Sequence, residues 1–171
     1  MERVSIFVDG SNFYHGLKSS RSPTKFDFYK FAVALCGTDR KLVRLYYYNV
    51  PRDRQADPQK YNDQQRFFDR LHHTPYLEMK LGRLEKRGET YVEKGVDILI
   101  ATDMINYAYK DAYDTAILVT GDGDVVSAVL AVKDAGKHVE NVYFKRGRSR
   151  HLLKACDTFR ELTPKFIKSC V

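Results

Sequence analysis

Short apolar strands that alternate with helical segments are the feature that most restricts the fold of this chain. Residues 4–8 form an apolar, β-branched run followed by a turn and an aromatic-rich helix, and residues 115–120 form another, followed by a helix over 124–135 that ends at Gly136. Such alternation favours a parallel sheet, because each helix returns the chain to the same end of the sheet. We predict one domain over residues 1–171, an α/β, Rossmann-like three-layer fold whose mostly parallel central sheet carries helices on both faces.

The remaining predicted elements continue this alternation. Further strands are predicted at 41–50, 139–144 and 158–162, and further helices at 58–73, 96–109 and 150–155. A hairpin around Arg87 and Gly88 is predicted to join strands at 79–86 and 90–93. Strand alternation sends Tyr46 and Tyr48 to one face of the sheet and Tyr47 to the other, so at least one of the three packs in the core.

Two of the apolar strands end on acids. Asp9 follows the first strand in the sequence DGS, and Asp122 and Asp124 follow the strand at 115–120 in the sequence TGDGD. Asp and Gly are common in turns and Asp caps helices, so two unrelated turns would explain these residues. Ligands of open parallel sheets bind beyond the carboxyl ends of the strands, however, and the repeated pattern favours one shared site.

Asp97 belongs to a helix in which it shares the apolar stripe with Ile100 and Met104. A carboxylate on such a stripe faces the core, where it requires either a basic partner or a cation. Lys94 is placed to pair with Asp97 or to hold a phosphate group. Asp103 falls on another face of the same helix, and there a solvated or ion-pairing role is the simpler expectation.

Carboxylates that converge without fixed basic partners repel one another, and a divalent cation relieves that repulsion. Oxygen ligands suit Mg²⁺ or Mn²⁺, which can activate water and stabilise the charge that develops when a phosphodiester is cleaved. The predicted metal ligands and catalytic residues are Asp9, Asp97, Asp122 and Asp124. Asn12 would either orient water or a phosphate oxygen at this site or cap the helix that follows.

Three motifs in this order resemble a known family. The sequence VDGSNFY from Val8, KGVD from Lys94 and TGDGD from Thr120 are similar to those of the NYN domains of the PIN-like nuclease superfamily, especially the bacterial LabA-like group. The resemblance spans residues 4–162 and implies a PIN-like α/β fold that binds Mg²⁺ or Mn²⁺ at the four acids and cleaves nucleic acid, commonly RNA. Many members carry Phe where this chain has Val125, which changes packing and leaves the acids intact. Supporting roles fall to Ser11, Asn12, Lys94, Thr120 and Ser127.

Positive charge follows the strand at 139–144. The chain has a formal net charge of +7, which favours polyanionic partners without identifying one. The basic loop, residues 145–151, should lie on the same rim as the acids, although a solvated loop is the ordinary alternative. The predicted nucleic-acid-binding residues, with RNA as the expected partner, are Arg52, Lys145, Arg146, Arg148 and Arg150.

Other classes of protein fit less well. A haloacid-dehalogenase-type phosphatase needs an acid where Ser11 stands. A P-loop nucleotide enzyme needs the motif GxxxxGK[ST], which is absent, and a dinucleotide-binding protein needs GxGxxG, whose last position is occupied here by Val126. The main alternative to a ribonuclease is a non-catalytic RNA-binding or regulatory adaptor that retains the fold and the acids. A protein-interaction module is a third hypothesis and predicts neither RNA cleavage nor RNA binding.

The sequence also carries expectations about environment and assembly. Cys36, Cys156 and Cys170 are far apart and form no CxxC pair, which indicates free thiols and neither a disulfide framework nor a zinc site. The start of the chain shows no secretory leader and no membrane-length apolar run, so a cytoplasmic protein without a membrane partner is expected. Tyr107 and Tyr109 are compatible with core packing or with a homodimer surface.

Overall fold

Six parallel strands form a central sheet within residues 1–22 and 25–171, the part of the chain that the computed structural model describes. The order across this sheet is β3-β2-β1-β6-β7-β8, and an antiparallel hairpin, β4-β5, lies outside it. Every neighbouring pair in the six-stranded sheet is parallel. The strands are β1 Glu2–Asp9, β2 Arg40–Asn49, β3 Leu77–Leu81, β4 Arg83–Arg87, β5 Thr90–Lys94, β6 Thr115–Val119, β7 His138–Tyr143 and β8 Thr158–Glu161.

Most helices begin at a side chain that caps them. Asp9 caps α1 and Asp27 caps α2, while Asp57 caps α3 just before Pro58, a residue suited to the first helical turn. The chain after β6 first forms a 3₁₀ turn, Gly123–Val125, and only then a full helix. The helices are α1 Gly10–Ser19, α2 Phe28–Cys36, α3 Pro58–His72, α4 Val96–Tyr109, α5 Val126–Asp134, α6 Arg150–Ala155 and α7 Pro164–Lys168.

Each face of the sheet has its own hydrophobic core. On one face α1, α2, α3 and α7 pack over Ile6, Val8 and Tyr47. On the other face α4, α5 and α6 pack over Tyr46 and Tyr48. All three tyrosines are buried, so they serve the core and do not form a base-stacking surface. The predicted α/β fold, a parallel sheet with helices on both faces, is confirmed.

The prediction for residues 79–86 was wrong. We expected one hairpin strand, but Leu77–Leu81 pairs in parallel with β2 at the edge of the main sheet, and a separate strand, Arg83–Arg87, forms the hairpin. Gly82 makes the break possible, because a Cβ at this position would stand 2.6 Å from the carbonyl oxygen of Lys94. Two helices, α2 and α7, were not predicted.

Two expectations about the chain as a whole can be checked in the described residues. Cys36, Cys156 and Cys170 are free, buried thiols, as their spacing indicated. No helix in residues 1–22 and 25–171 is both long and apolar enough to cross a membrane.

Candidate functional site at the carboxyl ends of the strands

The strand order creates a crevice between β1 and β6. After β1 the chain runs through α1 on one face of the sheet, and after β6 it runs through α5 on the opposite face. Neighbouring strands whose connections leave in opposite directions open a crevice at their carboxyl ends, where open α/β sheets bind ligands. Asp9 is the last residue of β1, and Asp122 follows Val119, the end of β6, by three positions. The prediction that both acids lie at the same edge of the sheet is confirmed.

Asp9 is the buried acid of the site. Its side chain is 7% exposed, and in the described residues it forms no ion pair. Its pKa is raised from 3.8 to about 6, first by burial and then by the negative charges of Asp97 and Asp122, which together outweigh the hydrogen bonds that it accepts. A carboxylate with these surroundings is costly to ionise unless a cation approaches.

Thr120 connects the first acid to the last two. Its hydroxyl donates to Asp9 Oδ2 at 3.3 Å and accepts from the backbone N–H of Asp122 at 3.1 Å. Asp9 Oδ1 accepts from the backbone N–H of Asn12 at 3.0 Å and so caps α1. Asp122 Oδ1 accepts from the N–H of Asp124 at 2.9 Å. Each of the two strand-end acids therefore uses one oxygen as a cap, so the turn interpretation is correct for that oxygen. The second oxygen of Asp9 accepts only the hydroxyl of Thr120, and the second oxygen of Asp122 accepts no hydrogen bond in the described residues.

Asn12 does not cap the helix that follows β1, since Asp9 performs that role. Its side-chain oxygen instead accepts from the N–H of Gly121 at 3.1 Å and ties the start of α1 to the turn after β6. Ser11 is half-buried beside Asp9, whereas Ser127 is exposed on α5 and makes no hydrogen bond to the acids in the described structure. Of the supporting residues, Thr120 and Asn12 are thus the two that join the strand ends.

Asp97 completes the electrostatic cluster from α4. Its side chain is half-buried in the first turn of that helix, and burial, followed by the charges of Asp122 and Asp124, raises its pKa. Lys94 is half-buried nearby in the chain but forms no ion pair with Asp97 among the described residues. The salt bridge that would have given Asp97 a purely structural role is therefore not present there.

Asp103 behaves as an ion-pairing residue. Lys80 Nζ lies 2.8 Å from its carboxylate, and the hydroxyl of Tyr48 donates to the same oxygen at 2.8 Å. The helix thus carries one acid with a basic partner and one without. Asp103 therefore has the ion-pairing role expected of it, whereas the metal-binding role of Asp97 stays a prediction.

The donor chemistry of the site suits a hard divalent cation. Neighbouring carboxylates oppose the ionisation of Asp9 and Asp97, none of the four acids has a basic partner in the described residues, and oxygen ligands are those preferred by Mg²⁺ and Mn²⁺. As they stand, no three acidic, histidine or cysteine side chains in those residues are close enough to hold one ion. Binding would therefore require side-chain rotation, which the exposed Asp124 and the half-buried Asp97 and Asp122 permit.

The basic loop adjoins the acidic turn. A Cβ on Gly121 would collide with the carbonyl oxygen of Gly147, and one on Gly123 would come within 2.9 Å of Ser149 Oγ. This close approach of two backbones explains the glycines of TGDGD, since any side chain at Gly121 would push the loop away. Four cationic side chains of this loop and the following helix are exposed: Lys145, Arg146, Arg148 and Arg150.

Arg52 lies on the other side of the acids. It is exposed in the loop after β2, where its backbone N–H donates to Gln64 Oε1 at 2.7 Å. The structure therefore separates Arg52 from the basic loop across the strands that carry the acids.

Asn141 is a polar residue of the site region that sequence reasoning missed. It is 1% exposed in β7 and donates from Nδ2 to the carbonyl oxygens of Leu118 at 3.1 Å and Thr120 at 3.0 Å. These bonds hold the end of β6, from which the acidic turn departs. A lone Asn in the strand HVENVY was the available clue, but its partners lie on another strand.

The six-stranded parallel sheet with helices on both faces and acids at its switch point is consistent with a PIN-like fold. The chain belongs to the NYN domain family, whose pattern it matches over residues 3–163. The resemblance inferred from DGSNFY, KGVD and TGDGD is thereby confirmed, including its LabA-like character.

Individual relatives support this assignment. The chain is 27% identical to the low amplitude and bright protein LabA of Synechococcus elongatus over 94% of its own length and 83% of that protein. It is 33% identical to the uncharacterized protein y4oD of Sinorhizobium fredii, over 50% of this chain and 40% of that one. A crystal structure of a protein of unknown function from Vibrio parahaemolyticus superimposes with a TM-score of 0.75 at 26% identity, over 94% of this chain and 93% of the other.

Proposed function

We propose that this protein is a divalent-metal-dependent nuclease that hydrolyses phosphodiester bonds of RNA at the acids between β1 and β6. The observation that carries the proposal is the buried Asp9, which has no basic partner in the described residues and whose ionisation is opposed by Asp97 and Asp122. A cation bound there would relieve that opposition. Membership of the NYN family agrees with a nuclease-like chemistry.

The four acids would hold Mg²⁺ or Mn²⁺, which supplies water activation and neutralises charge on the phosphodiester. Thr120 and the N–H of Asn12 fix the Asp9 carboxylate through both of its oxygens. Asp97, half-buried in the first turn of α4 with no basic partner in the described residues, would hold the cation from the opposite side of the crevice to the caps of Asp9. One water is consumed for each bond, its oxygen joins phosphorus, and one of its protons passes to the leaving ribose oxygen.

The basic loop would bind the substrate beside the acids. Arg146 and Arg148 are exposed and make no ion pair in the described part of the chain, so their charges are available to phosphate groups. The contact between Gly121 and Gly147 holds this loop against the acidic turn. Phosphate binding and metal binding would thus be joined in one rigid edge.

The test is cleavage of a labelled single-stranded RNA and a labelled hairpin RNA with Mn²⁺, with Mg²⁺ or with EDTA. Wild-type protein should cleave with either metal and not with EDTA, and Asp9→Asn and Asp122→Asn should each lower the rate by about 100-fold or more while RNA binding persists. Asp134→Asn, an exposed acid at the end of α5, is the matched control and should cleave normally.

Other outcomes separate the remaining hypotheses. RNA binding by the wild type without cleavage in any metal would overturn the nuclease and favour an adaptor. Neither binding nor cleavage would favour a protein-interaction module. Unfolding midpoints of each variant show whether a loss of activity reflects a loss of the fold.

A further inference from the structure

A second binding feature lies beside the acids. A groove of about 650 Å³ opens between α1, α3, the loop after β2 and the β4-β5 hairpin. This volume is in the range of sites that hold a small ligand. Gly10 and Ser11, which directly follow Asp9, form one end of the groove, so it opens next to the acidic site.

The walls of this groove are rich in aromatic rings. Tyr14 of α1 and Tyr91 of β5 are 37% and 38% exposed, and the partly buried rings of Phe26 and Phe67, which pack against the core, also line the groove. Tyr47 contributes to the floor. Partly exposed aromatic faces that are fixed by packing are the surfaces on which nucleobases stack, and stacking accepts any base.

Two positively charged side chains lie over rings of this groove. Lys18 Nζ lies 4.6 Å from the centre of the Tyr14 ring, and the guanidinium of Arg70 lies 5.8 Å from the centre of the Phe67 ring. With Arg52, these cations line the groove and have no acidic partner among the described residues.

Most of the acids on the lining are already engaged. Asp57 pairs with Lys60 at 2.8 Å, and Asp63 pairs with Arg66 at 3.5 Å. Asp53 accepts a hydrogen bond from the backbone N–H of Gln55 at 2.6 Å. Glu93 is exposed, and neither it nor Asp53 has a basic partner within the described residues. The groove therefore combines cations that have no acidic partner in the described residues with partly exposed aromatic rings, and this combination can recognise a nucleotide.

The sheet order places the groove on a line with the other parts of the site. The groove lies on the β2 side of Asp9, and the basic loop follows β7 on the other side, with the acids of β1 and β6 between them. Neighbouring strands are about 4.8 Å apart, so β2 and β7 are separated by about 14 Å along this edge. An extended single strand can cover that distance, and a base can stack on a ring of the groove only when it is unpaired.

We propose that this groove binds a nucleotide of single-stranded RNA on the β2 side of the cleaved phosphodiester, with its base stacked on Tyr14 and its phosphates held by Lys18, Arg52 and Arg70. This inference rests on the proposed nuclease function, because it takes the acids as the cleavage point. The groove adds to the proposed function a preference for single strands and a path for the strand, from the β2 side of the sheet edge to the β7 side.

The experiment measures binding of a fluorescent single-stranded RNA by anisotropy with EDTA, and cleavage of the same RNA with Mn²⁺. Tyr14→Ala should weaken binding by about 5- to 150-fold, and Tyr14→Phe, which keeps the ring, should restore it. Arg70→Ala should lower the slope of log K against log salt by about 0.7, the value for one phosphate contact with a single strand. A blunt-ended duplex RNA, which has no unpaired bases, should bind no better to wild type than to Tyr14→Ala.

The matched controls are Tyr109→Ala and Lys110→Ala. Tyr109 is 69% exposed at the end of α4, on the other face of the sheet, and Lys110 is the exposed residue that follows it. Both variants should bind RNA as the wild type does. The unfolding midpoint of every variant is measured in parallel, so that a destabilised protein is recognised.

The outcomes distinguish the groove from the nuclease. RNA binding that depends on Tyr14 and Arg70, without cleavage by the wild type, would support the groove and overturn the nuclease. Cleavage with unchanged Kd and KM in Tyr14→Ala and Arg70→Ala would overturn the groove and leave the nuclease standing. A free mononucleotide that binds as tightly as the RNA, or a DNA strand of the same sequence that binds equally well, would overturn the assignment to single-stranded RNA.

Discussion

At the scale of single residues, the site is defined by which acids have partners and which do not. Asp103 has Lys80 and Tyr48, whereas Asp9 has two hydrogen bonds and no cation in the described chain. The position of Asp9 could be predicted because a strand end is visible in the sequence. The bond between Asn12 and Gly121 could not, because it joins residues 109 positions apart.

The charge on Asp9 should reduce the stability of the folded protein in the absence of metal. Its pKa is about 6 when folded against 3.8 for the free side chain, so the folded state binds the proton more tightly. The free energy of unfolding should therefore fall as pH rises from about 4 to about 6, by up to about 3 kcal/mol, and stay lower above that range. Asp9→Asn, which can keep the cap on α1, removes this dependence.

Urea unfolding of wild type and Asp9→Asn at pH 4, 5, 6 and 7.5 measures the effect. The advantage of the variant should grow between pH 4 and pH 6 and then level off, and Asp134→Asn should show no such change. Added Mn²⁺ should stabilise the wild type at pH 7.5 more than the variant. A pH-independent difference between wild type and Asp9→Asn would contradict the buried, uncompensated state of Asp9.

At the scale of elements, an ion pair and a hydrogen bond hold the edge of the sheet to the helix that carries Asp97. Lys80 of β3 contacts Asp103 of α4 at 2.8 Å and the hydroxyl of Tyr107 at 2.8 Å. Burial lowers the pKa of Lys80, but these two contacts outweigh it and raise the pKa above its ordinary value. The strand was misassigned from sequence because an apolar and charged alternation fits a hairpin strand as well as an edge strand, and only its pairing with β2 decides between them.

Breaking this pair should destabilise the fold without affecting the chemistry. The side chains of Lys80 and Asp103 are 22% and 13% exposed, so Lys80→Met would leave a largely buried, unpaired carboxylate and cost about 2–4 kcal/mol. Adding Asp103→Asn should recover most of that loss, because the amide keeps an acceptor for Tyr48 and carries no charge. Arg66→Met, which breaks an exposed pair on α3, should cost less than about 0.5 kcal/mol. Denaturant unfolding measures all four proteins, and a double variant no more stable than Lys80→Met would refute the charge argument.

At the scale of the whole molecule, one edge of the sheet gathers the aromatic groove, the acids and the basic loop. The sequence predicted the acids and the loop for this edge, because the carboxyl ends of parallel strands share a side. It did not predict the groove, whose lining comes from α1, α3 and the hairpin and therefore depends on tertiary packing. The net charge of +7 is a property of the entire chain, and the placement of the individual positive side chains decides whether they contribute to binding.

Two arginines of the basic loop should contribute more to RNA binding than two lysines elsewhere. Arg146 and Arg148 are exposed next to the acidic turn, whereas Lys41 and Lys110 are exposed at the opposite ends of the elements, near the start of β2 and just after α4. Removing either pair by substitution with Ala lowers the net charge by the same amount, so general electrostatic attraction predicts equal effects. A specific phosphate site predicts that the slope of log K against log salt falls by about 1.4 for the arginine pair and stays near the wild-type value for the lysine pair. Anisotropy titrations of a single-stranded RNA over a range of salt concentrations separate the two, and equal slopes for both double variants would mean that the basic loop is only a solvated surface.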